Sequence, residues 1–224
     1  MGPVDTGNWL TILGLGEDGP EGLSPASRRA LEEAEIVMGP PRHLDLLPEI
    51  TAEKVVWPVP FADGVPKLLG YRGRKVVALA SGDPFWFGAG SVIVRELNAE
   101  EWKALPGSSV FSLAAARLGW ALERVECHGL HAAPLSRLRA RLAPGKRMIV
   151  TLRDGAAVAD LATWLTDTGF GDSVLHVMEA LGGSRERVRS VAADNYGLEG
   201  VEHPVDVAIE IDGTGHIVHA ANGQ

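Results

Sequence analysis

The stretch Ser81-Gly82-Asp83-Pro84-Phe85-Trp86-Phe87-Gly88 carries residue types suited to holding a small polar ligand. It follows Lys75-Val76-Val77-Ala78-Leu79-Ala80, an apolar, β-branched run of the kind that forms a buried strand. A strand ending in Ser, Gly and Asp bares backbone N–H and C=O groups, and Asp83 adds a carboxylate acceptor. Open α/β sheets bind ligands there, beyond the carboxyl ends of their strands. Gly-Asp-Pro is also ordinary turn chemistry, so the loop alone leaves both readings open.

Gly14-Leu15-Gly16-Glu17-Asp18-Gly19 fits the spacing of a dinucleotide-binding loop. Three features oppose that use. Pro20 and the Ser24 cap delay the following helix, Glu17 and Asp18 stand where a pyrophosphate would approach, and no acidic residue follows Met38. The same glycines suit a close backbone approach to another ligand. Arg42-His43-Leu44 follows a Gly-Pro-Pro turn and has two readings, a solvated loop or an Arg/His pair at a cleft rim. In the second, Arg42 grips a carboxylate and His43 moves a proton near neutral pH. His128 and His131 flank Gly129 but have no third ligand at metal spacing, so no metal site is assigned. Cys127 reads as buried filler. Seven arginines between Arg117 and Arg153 read as a solvated helix face, and no Gly-x-Ser-x-Gly elbow or P-loop occurs.

The elements that must position these residues follow from the hydrophobic pattern. Strands are expected at Trp9–Leu15, Ile36–Met38, Lys54–Val59 and in the run before Gly82. Ser24-Pro25 starts a helix that runs to about Ala34, and a second helix covers 90–97. After a break at Leu105-Pro106-Gly107, Ser109-Val110-Phe111 reads as extended, leading into an Ala-rich helix that stops near Gly119. Arg147–Leu152 is the next strand. A helical stripe of Ala157, Val158, Leu161, Trp164 and Leu165 ends at Gly169. Val174–Leu181, Asp206–Ile211 and His216–His219 complete the strands. The expected architecture is α/β, with two consecutive domains, 1–105 and 106–224, and a ligand cleft between them.

Composition limits the function classes. The chain has 224 residues, 46% hydrophobic and 22% charged, which is ordinary globular composition. A net charge of −8 argues against a nucleic-acid partner. One cysteine excludes an internal disulfide framework. No apolar run approaches the ~20 residues of a membrane helix, and residues 1–8 do not read as a signal peptide. A soluble cytoplasmic protein is expected.

Four segments together resemble the tetrapyrrole methylase family, which makes sirohaem and cobalamin. They are the first strand with Gly14-x-Gly16, the Ser81-Gly82-Asp83-Pro84-Phe85 loop, Pro106-Gly107-Ser108-Ser109 before an Ala-rich helix, and Val177-Met178-Glu179-Ala180-Leu181 with Gly182 and Glu186. Residues 14–19, 42–44 and 109–120 are similar to the branch that methylates carbon 5 of a precorrin-6/7-type macrocycle. In that branch the domain stands alone or forms the N-terminal half of a decarboxylating enzyme. The family's usual Gly-Pro-Gly is Gly16-Glu17-Asp18 here, so any cofactor contact at Glu17 runs through its backbone.

The resemblance implies S-adenosylmethionine as cofactor, folded between the two domains. It places cofactor contacts on Gly14, Glu17, Ser81, Gly82, Asp83, Trp86, Ser109, Val110, Leu152 and Leu181. Arg42 would hold a carboxylate of the precorrin, and His43 is the candidate substrate contact and proton acceptor. It further implies a homodimer, and a separate or fused decarboxylating methyltransferase as partner. Two alternatives stay open: a methylase of this fold acting on RNA or a diphthamide precursor, and a non-catalytic ligand-binding domain. Binding of a nicotinamide cofactor would revive an oxidoreductase reading.

Overall fold

A computed structural model describes residues 8–215, which divide into two compact units. The first holds residues up to Val110 together with Gly182–Ser184. Its elements are β1 (Leu10–Leu15), α1 (Pro25–Glu32), β2 (Ile36–Gly39), α2 (Pro41–Leu46), β3 (Glu53–Val56), α3 (Gly64–Leu69), β4 (Val76–Ser81), α4 (Gly90–Ile93) and β5 (Trp102–Leu105). The five strands form one parallel sheet in the order β3-β2-β4-β1-β5.

Burial on both faces explains why β1, β2 and β4 read as unbroken apolar runs. Leu10, Ile12, Met38 and Ala78 pack on one face with Val65, Leu68 and Ile93. Leu13, Leu15, Val37 and Leu79 pack on the other with Leu23, Leu31 and Leu44. Ser24 caps α1 by accepting from the Ser27 N–H at 3.1 Å, with Pro25 at the first helical position.

The second unit holds Phe111–Leu181 and the chain from Arg185 onward. It contains all but the first residue of α5 (Val110–Leu118), then β6 (Glu126–Gly129), β7 (Arg147–Leu152), α6 (Gly155–Asp167), β8 (Val174–Glu179), β9 (Arg187–Ala192) and β10 (Val205–Glu210). The strand order is β6-β7-β10-β8-β9, parallel only between β6 and β7. Asp154 caps α6 by accepting from the Ala157 N–H at 2.9 Å, and its apolar stripe packs on Val150, Val177 and Val207. Gly169 follows that helix at φ +85°.

Several expectations are corrected. Ser109-Val110-Phe111 is not extended: α5 begins at Val110, with Ser109 directly before it, and Phe111 is buried in the core. Packing overrides the strand preference of Val and Phe. The third strand stops at Val56, ahead of Pro58 and Pro60, which cannot donate to a ladder. Helix 90–97 shortens to α4 and a 3₁₀ turn at Val94–Glu96. The eighth strand ends at Glu179, because Ala180 turns left-handed at φ +46°. The arginines from Arg117 to Arg153 are exposed but spread over α5, 3₁₀ turns, β7 and a loop, so no helix face unites them. Strands β5, β6 and β9 were not expected. The proposed strand His216–His219 lies outside the described residues.

Candidate functional site

In the first unit the chain leaves β1 over one sheet face through α1 and crosses β4 to reach β2. It leaves β4 over the opposite face through α4 and crosses β1 to reach β5. Adjacent strands with opposite exits define a topological switch point, where open α/β sheets bind ligands. Gly14 and Gly82 meet there. The Gly82 N–H donates to Leu15 O at 3.1 Å, and Gly82 O accepts from the Gly107 N–H at 2.9 Å. A Cβ on Gly14 would fall onto Gly82 O and Gly107 N. Gly82 sits at φ +52°, and a Cβ there would lie 2.7 Å from Ser108 O and 3.3 Å from Ser109 Cα. The end of β1 and the loops after β4 and β5 therefore close on one another through bare backbone, with Ser109 beside them.

The loop after β1 and helix α2 join this junction through side chains. Arg42 Nη1 forms an ion pair with Glu17 Oε1. Arg42 Nη2 donates to Ser81 Oγ at 3.1 Å and lies 3.0 Å from His43 Nε2, which is also 3.0 Å from Ser81 Oγ. A guanidinium only donates, so His43 Nε2 accepts and the ring proton sits on Nδ1. Burial, reinforced by the Arg42 charge, pulls His43 down to about 3. His43 is 2% exposed, so it is a neutral, desolvated acceptor rather than a group at an open rim. Behind Glu17 the fit is equally close, since a Cβ on Gly183 would lie 2.7 Å from Glu17 Cβ.

Asp83 and Trp86 lie on the loop that leaves β4. Asp83 Oδ1 accepts from the Phe85 N–H at 2.9 Å, and Asp83 O from the Trp86 N–H at 3.3 Å. The Gly90 N–H reaches Pro84 O at 2.9 Å, and a Cβ on Gly88 would sit 2.5 Å from that same oxygen. This tight winding leaves Phe85, Trp86 and Phe87 exposed, with Phe87 held at φ +55°.

Leu152 and Leu181 belong to the second unit. Leu152 ends β7, and Leu181 follows the turn after β8; Val205 of β10 pairs with both Leu152 and Glu179. Sequence reasoning brought Gly14, Ser81, Gly82, Arg42, His43 and Ser109 to one region of the first unit. It missed Gly107, the side chain of Glu17 and, in the second unit, Glu179. Gly107 carried a signal, because the turn Pro106-Gly107 opens the loop after β5. The two histidines that flank Gly129 have local partners: His128 Nε2 lies 3.4 Å from Glu126, and His131 Nδ1 is 3.1 Å from Thr151 Oγ1. Burial pushes the Cys127 thiol up to about 11, which leaves little nucleophilic thiolate.

Comparison with known proteins agrees with this fold. The model of the tetrapyrrole (corrin/porphyrin) methylases matches residues 10–195. A precorrin-6Y C(5,15)-methyltransferase (decarboxylating) from a Sinorhizobium species is 44% identical over 211 residues, 93% of this chain and 51% of its own length. The chain thus spans about half the length of that relative. A cobalt-precorrin-7 C(5)-methyltransferase from Salmonella typhimurium is 25% identical, covering 80% of this chain and 88% of its own. A solved uroporphyrin-III C-methyltransferase from Thermus thermophilus, complexed with S-adenyl homocysteine, shares the fold at TM-score 0.66 and 20% identity, over 89% of this chain and 96% of that one. The family match runs from the first residue of β1 to the 3₁₀ turn Ala193–Asn195, so the first sheet and every strand of the second except β10 fall within it. The chain belongs to the tetrapyrrole (corrin/porphyrin) methylase family.

Proposed function

We propose that the chain transfers a methyl group from S-adenosylmethionine to carbon 5 of a precorrin-6/7-type macrocycle in cobalamin synthesis. The observation that carries this reading is the switch point, where the end of β1 and the loops after β4 and β5 meet through backbone at Gly14, Gly82 and Gly107. Relatives named as carbon-5 methyltransferases supply the substrate class.

The groups at this edge fit the cofactor. Ser81 is exposed with its hydroxyl at the strand end, and Asp83 Oδ2 has no hydrogen bond among the described residues. A hydroxyl and a carboxylate oxygen suit the amine and hydroxyl donors of an adenosyl amino acid. Ser81, Gly82, Asp83, Trp86, Ser109 and Val110, with Gly14 and the Glu17 backbone, are the proposed cofactor contacts of the first unit, and Leu152 and Leu181 those of the second. When bound, S-adenosylmethionine supplies an activated methyl whose leaving thioether is neutral. The protein's task is then alignment and exclusion of water rather than strong acid–base help. Arg42, oriented by Glu17, Ser81 and His43, offers its half-exposed edge to a macrocycle carboxylate. His43 acts by holding Arg42 and Ser81, because a ring with its conjugate acid near 3 is a weak proton acceptor.

The test is mass spectrometry of the product formed from a precorrin-6/7-type substrate. One added methyl without loss of carbon dioxide is expected; methylation of RNA alone, or no transfer, overturns the reading. The working form is proposed to be a homodimer in the cytoplasm, acting beside a separate or fused decarboxylating methyltransferase, and a monomeric mass by light scattering counts against the dimer. Asp83→Ala should weaken S-adenosylmethionine binding about tenfold, by freeing the Phe85 N–H as well as removing an acceptor. Calorimetry checks this, and unchanged affinity removes Asp83 from the site.

A further inference from the structure

Glu179 is 2% exposed at the end of β8, where a lone charge would be costly. Four donors meet it. Arg187 binds it through two nitrogens at 2.9 and 2.6 Å, Arg189 Nη2 reaches it at 3.0 Å, and the Glu202 N–H donates at 2.7 Å. Burial pushes the carboxyl up, but Arg187, the Glu202 N–H and Arg189 outweigh it and hold it below the usual carboxylate range. The same arginines reach back to the following loop, Arg187 to Gly200 O and Arg189 Nη1 to Glu199 O at 2.9 Å. Strand β9 and the segment 199–202 are therefore tied to one carboxylate.

The next residue is strained. Ala180 takes φ +46° and is buried, and its N–H donates to Pro204 O at 2.9 Å. A non-glycine residue persists there only when its surroundings over-determine it, at a cost of about 1–3 kcal/mol. Replacing a buried ion cluster with apolar groups is often neutral or stabilising, so stability alone is a weak reason for this one. Its effect on the backbone is a stronger reason: it fixes the residue before Ala180 and the segment leading to Pro204.

We infer that Glu179 is a positioning residue for the cofactor, gripping Arg187, Arg189 and the Glu202 N–H so that Ala180 stays left-handed and Leu181 is presented to the ligand. This rests on the reading that Leu181 lines the S-adenosylmethionine site. Glycine adopts positive φ at no steric cost, so it replaces the clamp's backbone effect without restoring the ion cluster.

The experiment measures S-adenosylhomocysteine affinity by calorimetry, with thermal unfolding alongside, for the wild type, Glu179→Gln, Ala180→Gly and the double variant. Glu179→Gln should bind about tenfold more weakly. Ala180→Gly alone should bind like the wild type, and the double variant should recover most of the lost affinity. Its unfolding midpoint should stay below that of Ala180→Gly, because the ion cluster is not restored, a split from the recovered affinity that a merely structural ion cluster does not produce. Arg189→Gln, which removes one grip, gives the same pattern in milder form should Glu179→Gln fail to fold. Unchanged affinity in Glu179→Gln, or a loss that Ala180→Gly does not rescue, overturns the inference. A wild type that binds no S-adenosylhomocysteine overturns instead the cofactor assignment beneath it.

Discussion

Gly14→Ala is expected to abolish S-adenosylmethionine binding and to lower stability substantially. The new methyl points at Gly82 O and Gly107 N, which belong to two other loops and are hydrogen-bonded to each other at 2.9 Å. Neither atom is the end of a flexible side chain, so relief requires moving whole loops apart. Overpacking of this kind costs about 1–3 kcal/mol, occasionally more. Breaking the Gly107–Gly82 bond leaves the carbonyl of buried Gly82 wanting a partner, at a further cost of about 1–3 kcal/mol. In a chain of this size the sum lowers the unfolding midpoint by roughly 5–15 °C. Gly197→Ala is the control, since nothing lies within 4 Å of its added methyl and its φ is unexceptional. Scanning calorimetry and titration with S-adenosylhomocysteine compare the two. If Gly14→Ala matches the control in both, the three-loop junction is not what forms the site.

That junction shows where sequence reasoning succeeds and where it stops. Strands β1 and β4 were legible because burial on both faces writes an unbroken apolar run. The start of α1 was legible because Ser24 and Pro25 act locally on the helix end. Strands β6 and β9 were not. Glu126-Cys127-His128-Gly129 and Arg187-Val188-Arg189-Ser190 are strands through their partners, and their charged groups are matched by Lys146 and Glu179 from elsewhere in the chain. The same distinction holds in the site. Glycines at strand ends and in turns mark close approaches, so Gly14 and Gly82 could be named. The partner of Arg42 could not, because Glu17 is brought to it by the crossing of α1 over the sheet. Asp83 is expected to face a ligand, and one of its two carboxylate oxygens also serves to wind its own loop. The sequence reads His43 as a group near neutral pH; its burial is a property of how α2 packs and leaves no mark on the local sequence.

Burial of His43 also makes stability acid-sensitive in a definite window. Folding lowers its conjugate acid from 6.5 to about 3. Between those values the unfolded chain binds a proton there that the native chain refuses. Stability therefore falls as pH drops through the ordinary histidine range, and the loss is complete only near 3. At pH 4.5 the penalty from this one residue is about 2–3 kcal/mol, taking 1.36 kcal/mol per unit. His43→Gln keeps an acceptor toward Ser81 and Arg42 but has no proton to take up. It should be the less stable protein at pH 7.5, where the native ring packs without penalty, and should close or reverse that gap at pH 4.5. Urea unfolding of both proteins at the two pH values measures the difference directly. A gap that stays constant across the range would mean that His43 titrates like a solvated ring, and that it does not hold Ser81 and Arg42 as a neutral acceptor. Because the native ring stays neutral down to about 3, the site itself should remain assembled throughout this window. Moderate acid should then reduce the folded fraction of the wild type without weakening cofactor binding through His43 in the molecules that remain folded.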